Sequence, residues 1–320
     1  KDGIYARNSS KGTSLTINAA TTKGAAIGIF AKNYGTDLTI NAATTTGGHY
    51  GIYAKNYGSG ALSITTTGDT KGNWIFVKDD EGNITSDESN GRTDGDGIFA
   101  KSEGGGAVNI TTLGAVTGGR HGINVQNQTR DGNNGKTSIT VGATSTITTS
   151  AVGGYGILNR MAEYNDDNEF VPLSKSDVSN VITIAGTINT TGEGAHGIYN
   201  NGNNNKTILA AGGSIVTTGD SAYSIYDRGT GNTTTLAGGV QTEGKDAYGI
   251  YRTDISNTVD FKATGSVTTK GVGAYGIYNV GNDYTTTVPG SIKTAGEGAH
   301  GIANSGNSNT TTVSGSITTQ

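Results

Sequence analysis

The sequence predicts an all-β parallel β-helix, a solenoid of about eleven coils of ~25 residues with three short strands each. Three observations carry this. One phrase recurs along the chain, as AHGIYNNGN at 195–203, AYGIYNVGN at 274–282 and AHGIANSGN at 299–307. Thr, Ile, Val and Tyr recur while long helix formers are scarce, which is β composition. No helical period appears, and Gly, Asn and Asp punctuate the chain wherever a turn needs unusual backbone angles.

The phrase can be followed through Gly3, Gly28, Gly51, Gly97, Gly122, Gly156, Gly197, Gly249, Gly276 and Gly301, with Ser224 taking the place of Gly at one further turn. The steps are 25, 23, 46, 25, 34, 41, 27, 25, 27 and 25 residues, so most coils share one length and three carry extra chain. A fixed period in this range means stacked units, each able to bury its apolar face only against a neighbour.

Within a coil the first strand is the Y/H-G-I-Y piece, as in Tyr275–Tyr278. The second is Thr-rich, as in Thr285–Val288. The third is a piece such as Ser291–Thr294. Each strand is expected to pair with its equivalent one coil away, about 4.8 Å along the axis, so eleven coils make a rod of roughly 50 Å. Strand alternation assigns the faces. Ile4, Ile29, Ile52, Ile98, Ile123, Ile157, Ile198, Ile225, Ile250, Ile277 and Ile302 occupy one position and are expected to form an inward column. Ile215, Val240, Val267, Ile292 and Ile317 of the third strand form a second column. The Gly and the aromatic that flank the Ile are assigned to the outer face. Asn159, Asn200, Asn279 and Asn304 are expected to hydrogen-bond along the rod at a corner.

The aromatic after Ile is the first candidate for function. Tyr5, Phe30, Tyr53, Phe99, Tyr199, Tyr226, Tyr251 and Tyr278 form an expected outward ladder, broken by Asn124, Leu158 and Ala303. Rings at this spacing stabilise a rod. Tyr also gives binding area at low entropic cost, so the ladder doubles as a candidate stripe for sugar or protein. The Tyr199–Tyr278 stretch is read as its longest unbroken run. The residues before Gly (Tyr50, His121, Tyr155, His196, Tyr223, Tyr248, Tyr275, His300) read as interchangeable corner residues rather than metal ligands, because His196 and His300 stand four coils apart.

Two interruptions break the pattern. Residues 73–94 hold the only Trp and read as a hairpin standing off the rod, with Trp74 and Phe76 as binding candidates. Residues 160–179 hold the only Met and read as a surface loop, with Tyr164 and Phe170 as candidates. Their carboxylates (Asp79, Asp80, Glu81; Asp166, Asp167, Glu169) lack calcium-loop spacing and read as solvated charge.

Motifs that suggest catalysis dissolve into the repeat. TGDSAYS at 218–224 superficially resembles a serine hydrolase, yet it aligns with TGEGAHG at 191–197, so Ser221 stands where other coils have Gly. RHG at 120–122 is likewise a repeat copy. Thr233/Thr235, Thr285/Thr287 and Thr310/Thr312 suggest an ice-binding face, but Asp260 interrupts the register and the pattern is absent from the early coils. No acidic and basic groove recurs on adjacent coils as a polysaccharide-cleaving site requires. No catalytic residue, metal or cofactor is therefore expected, and the chain is read as no enzyme.

The net charge is −4 with no basic run, so nucleic acid is not expected as a partner. No apolar run is long enough to span a bilayer as a helix, so membrane insertion by this chain is not expected. There is no cysteine, which fits export in an unfolded state. The chain begins with Lys1-Asp2-Gly3-Ile4-Tyr5 and ends on GSITTQ, both inside repeats, and is expected to be a fragment of a longer protein.

The GEGAHGIYN…TTT…GSI units, clearest from 180 to 320, resemble the passenger regions of Gram-negative autotransporters, the pertactin-like and self-associating adhesin group. The resemblance covers nearly the whole chain but is one of style, and two-partner secreted adhesins and phage tailspikes also use such helices. It implies a right-handed β-helix displayed on the bacterial cell surface, anchored through a part not present here. Its implied partner is a host cell-surface protein or glycan, or another copy of itself. A carbohydrate-active β-helix enzyme and a mechanical stalk presenting a head elsewhere are the alternatives.

Overall fold

The computed structural model describes residues 1–73, 95–127, 135–160, 162–164, 170–172 and 180–320. Eleven parallel strands run in chain order through one sheet, from Ile4–Asn8 to Ile302–Ser305. They define coils 1 to 11. Each isoleucine of the first strand lies opposite its equivalent in the next coil, from Ile4 with Ile29 to Ile277 with Ile302. The column is fully buried from Ile29 to Ile277. Ile52 pairs directly with Ile98, so the 46-residue step is a single coil.

The other two faces belong to one sheet of 20 strands, and no helix occurs among the described residues. Three strands per coil holds for coils 3 to 11. In coils 1 and 2 the second and third strands are continuous, as Leu15–Lys23 and Leu38–Gly47. The cause is local: Asn-Ala-Ala-Thr bridges the two faces there, where coil 3 has Gly68 and Asp69 to turn the chain.

The third-strand column expected from Ile215 onward also extends backwards, through Ile188, Ile147 and Val116 to Thr70, Thr45 and Thr22. The second strand contributes a third column that changes character along the rod. It is Ile17, Ile40, Ile64, Ile110, Ile139 and Ile182, then Thr207, Thr234, Val259, Thr286 and Thr311.

The Gly of the phrase is a corner residue, which corrects its assignment to the outer face. A Cβ on Gly197 would lie 2.4 Å from Ile215 Cγ2 and 2.6 Å from the Ser224 carbonyl of the next coil. Close packing of two strands at the corner therefore requires the missing side chain. A different turn position needs a left-handed backbone: Gly153, Gly194, Gly273 and Gly298 adopt φ of 61° to 69° there. Ser221 and Asp246 occupy the same turn at φ 52°. Ser221 is thus a strained replacement for Gly and not a nucleophile on a catalytic elbow.

Residues 74–94, with Trp74 and Phe76, lie outside the described residues. In the second interruption Ala162–Tyr164 pairs antiparallel with Phe170–Pro172, so Tyr164 stands opposite Phe170 in a two-stranded ribbon where a loop was expected.

Candidate binding face

Because the first strand repeats Ile-aromatic in register, the parallel pairing brings the rings face to face. Tyr5, Phe30, Tyr53 and Phe99 stack at centroid distances of 4.8, 5.2 and 4.9 Å. Tyr199, Tyr226, Tyr251 and Tyr278 follow at 4.8, 5.0 and 5.6 Å. The two runs are equally long, which corrects the reading of the second as the longest. With the 46-residue step a single coil, Phe99 sits directly on Tyr53.

The residues before Gly form a second file beside the first. His121, Tyr155, His196, Tyr223, Tyr248, Tyr275 and His300 stack in order at 4.7 to 5.2 Å. The files meet edge to face, as in Tyr248 on Tyr278 at 5.3 Å and 83°. Most rings are half-buried. Each such pair stabilises the rod by about 0.5–1.5 kcal/mol beyond burial.

This geometry decides what the face can offer. Along each run the ring faces are used on one another, so a ligand meets ring edges and hydroxyls. Burial pushes Tyr226 and Tyr248 up to about 12 and raises Tyr223 and Tyr251 as well, so at neutral pH these hydroxyls are uncharged donors. His121 and His196 are neutral too. His196 Nδ1 accepts the Tyr223 N–H at 3.0 Å, and His121 Nδ1 accepts the Tyr155 N–H at 2.9 Å. Burial pushes His196 down to about 3, and burial with Arg120 nearby lowers His121 strongly.

At the break in the first file Asn124 and Leu158 are buried. Asn124 Nδ2 donates to the buried carboxylate of Asp96 at 2.8 Å, and the His121 N–H donates to the same carboxylate at 3.3 Å. The break is thus a built polar corner.

The expected Asn file is present and is longer than its sequence signature. Asn159 donates to Asn200 (2.9 Å), Asn200 to Asp227 (3.2 Å), Arg252 to Asn279 (2.7 Å) and Asn279 to Asn304 (2.7 Å). It runs inside the rod, not on its surface. Asp227 and Arg252 stand opposite each other in register within it, both fully buried. Asp227 also accepts from Thr234 at 2.8 Å, and the Arg252 guanidinium lies 5.0 Å from the Tyr284 ring centre. Burial raises the Asp227 carboxyl and brings Arg252 down to about 10, with each charge partly offsetting the other's shift.

One feature was missed from sequence. Directly beyond the aromatic in the first strand, Arg7, Lys32, Lys55 and Lys101 lie in register on four successive coils. The next positions are Gln126, Arg160, Asn201 and Arg228. The signal is the repeated A-K/R in IYARN, IFAKN, IYAKN and IFAKS. Its members are too far apart in sequence to form a basic run.

The paired Thr-x-Thr pattern is absent from the early coils, as expected: one column runs Thr65, Thr111, Thr140, Thr183, Ile208, Thr235 and Asp260 in register, while its companion is Ser63, Asn109, Ser138, Val181 and Lys206 before Thr233. Among the described residues, no group of three or more His, Asp or Glu is placed to hold a metal ion. Comparison with family models, with curated proteins and with solved structures finds no match to this chain.

Proposed function

We propose that this rod is part of a bacterial surface adhesin of the autotransporter kind, attaching cells to a host surface or to one another through its side. The observation that carries the reading is the double aromatic file, a repeated lateral face of neutral hydroxyl donors on successive coils. Many weak, equivalent contacts on one rigid body add through effective concentration, so no deep pocket is needed. The lateral contact is placed on Tyr199, Tyr226, Tyr251 and Tyr278, with Tyr53 and Phe99 extending it at the other run.

The test separates binding from stacking. Changing the four tyrosines to Phe keeps the rings and removes the hydroxyls. Displayed on cells, the folded variant is expected to clump or attach several-fold less than the parent. Undiminished attachment would remove the hydroxyl face from function and leave the ladder a structural element only.

A further inference from the structure

Arg7, Lys32, Lys55 and Lys101 place one cation on each of four successive coils. The surrounding sequence reinforces the field. Residues 1–73 hold seven Lys and Arg against three Asp and no Glu, in a chain whose net charge is −4. Glu103 pairs with Lys101 at 2.8 Å, and among the described residues no ion pair forms on Arg7, Lys32 or Lys55.

The cations are also held in place. Lys32 Nζ lies 5.2 Å from the Phe30 ring centre, Lys55 Nζ 5.3 Å from Tyr53, and Arg7 Cζ 5.0 Å from Tyr34. Tyr34 and Tyr57 stack at 4.5 Å on the far side of the file from Phe30 and Tyr53. The cationic file therefore runs between two aromatic walls. Burial, and then the neighbouring Lys101 charge, lower the Lys55 pKa, so an anion along the file would relieve like-charge crowding. A shallow depression lined by Arg7, Ser9, Ser10 and Tyr34 continues the file at coil 1.

We propose that coils 1 to 4 bind a linear acidic polysaccharide, carrying a carboxylate or sulfate on successive sugars, laid along the rod axis over Arg7, Lys32, Lys55 and Lys101. Two observations favour this class over nucleic acid. The cations repeat at the strand spacing of about 4.8 Å, which is close to the advance of one pyranose and wider than the ~3.4 Å phosphate rise along a strand of duplex DNA. Single-stranded nucleic acid binds by stacking its bases on open ring faces, and here ring-on-ring stacking has already consumed them. The proposal does not depend on the tyrosine stretch of coils 7 to 10, because it concerns other coils and is tested without cells.

The test measures binding of the purified chain to a polygalacturonate oligomer and to heparin, with a neutral dextran and single-stranded DNA alongside, at two salt concentrations. The parent should bind one or both acidic glycans and not dextran, and whichever binds assigns carboxylate or sulfate. Lys32→Gln/Lys55→Gln should weaken binding about tenfold or more and reduce the salt slope by about two. Lys245→Gln/Lys293→Gln, with the same net charge change on exposed lysines elsewhere, should leave binding within twofold. Melting curves check that both variants fold. No binding of either glycan by the parent, equal loss in the two variants, or tighter binding of DNA with the same lysine dependence would each overturn the proposal.

Discussion

Coils 1 to 5 and coils 6 to 11 share one backbone but close their interiors by different physics. In the early coils the inward position two residues after the core Ile is Ala6, Ala31, Ala54, Ala100 and Val125, an apolar file against Ile17, Ile40, Ile64, Ile110 and Ile139. In the later coils the same position is Asn159, Asn200, Asp227, Arg252, Asn279 and Asn304. There the facing column turns to Thr, and the two columns bond each other, as Asn200 to Thr207 (2.8 Å) and Thr234 to Asp227 (2.8 Å). A polar file is tolerated in a core because most of its donors and acceptors find partners along the axis, the exceptions here being Asn159 Oδ1 and Arg252 Nη1.

The early coils carry the opposite blemish. Thr22, Thr45 and Thr70 stand in the third-strand column with buried hydroxyls that have no partner. In the later coils the column at that height is aliphatic. The inward Thr at the strand end instead donates to a turn carbonyl, as Thr190 to Ala195 (2.6 Å) and Thr269 to Ala274 (2.6 Å). The two halves thus differ in where polarity sits, although the later half also keeps unpartnered buried atoms at Asn159 Oδ1, Arg252 Nη1 and Thr294 Oγ1.

What both halves share should give the largest effect. The Ile column is continuous, so Ile52→Asp and Ile250→Asp should be equally damaging, each costing several kcal/mol by burying a charge with no partner. Tyr251→Ser removes only half-buried stacking and should cost far less, on the order of 1–2 kcal/mol. Thermal melts of the three variants check this. Unequal damage from the two Asp variants would mean that the column is not one unit.

The next effect belongs to the histidine file. His196 is neutral when folded and titrates near 3, whereas an unfolded histidine titrates at about 6.5. A lowered folded value means stability is fully present above about 6.5 and is lost progressively as pH falls towards 3. His121 adds to this loss. Asp227 runs the other way, because its raised folded value favours the protonated form and lends stability as pH falls. The melting temperature should drop between pH 7 and 4, and His196→Tyr, the residue other coils use, should flatten that drop. An unchanged profile would show that the histidine does not govern it.

The smallest effect repairs the early half. Thr45→Val replaces an unpartnered buried hydroxyl with a methyl and should stabilise by about 1 kcal/mol. Thr269→Val, which removes a bonded hydroxyl, should destabilise by a similar amount. Opposite signs in the two halves are the result to look for in denaturant melts.

How much of this was legible follows from the spacing of each signal. The Ile column and the first aromatic file could be read residue by residue, because each sits at a fixed offset from one repeated Gly. The cationic file uses the same offset logic, but a charge scan along the chain never sees residues one coil apart as neighbours. The Asn file was legible where the letter repeats. Asp227 and Arg252 belong to it only through register, and neither letter announces an inward position. The fused strands of coils 1 and 2 depend on the absence of a glycine, a weaker signal than its presence.

The central claim is that Asp227 and Arg252 are interdependent members of one buried ladder. They make no close ion pair with each other; Asp227 bonds towards coil 7 and Arg252 towards coil 10, and their charges balance across one strand spacing. The most direct measurement is a double-mutant cycle in denaturant unfolding with Asp227→Asn, Arg252→Asn and the pair. Each single change leaves one buried charge uncompensated and should cost about 3–5 kcal/mol. The double variant restores an unbroken Asn file and should lose less than either single one. A double variant that loses the sum of the two would contradict the account.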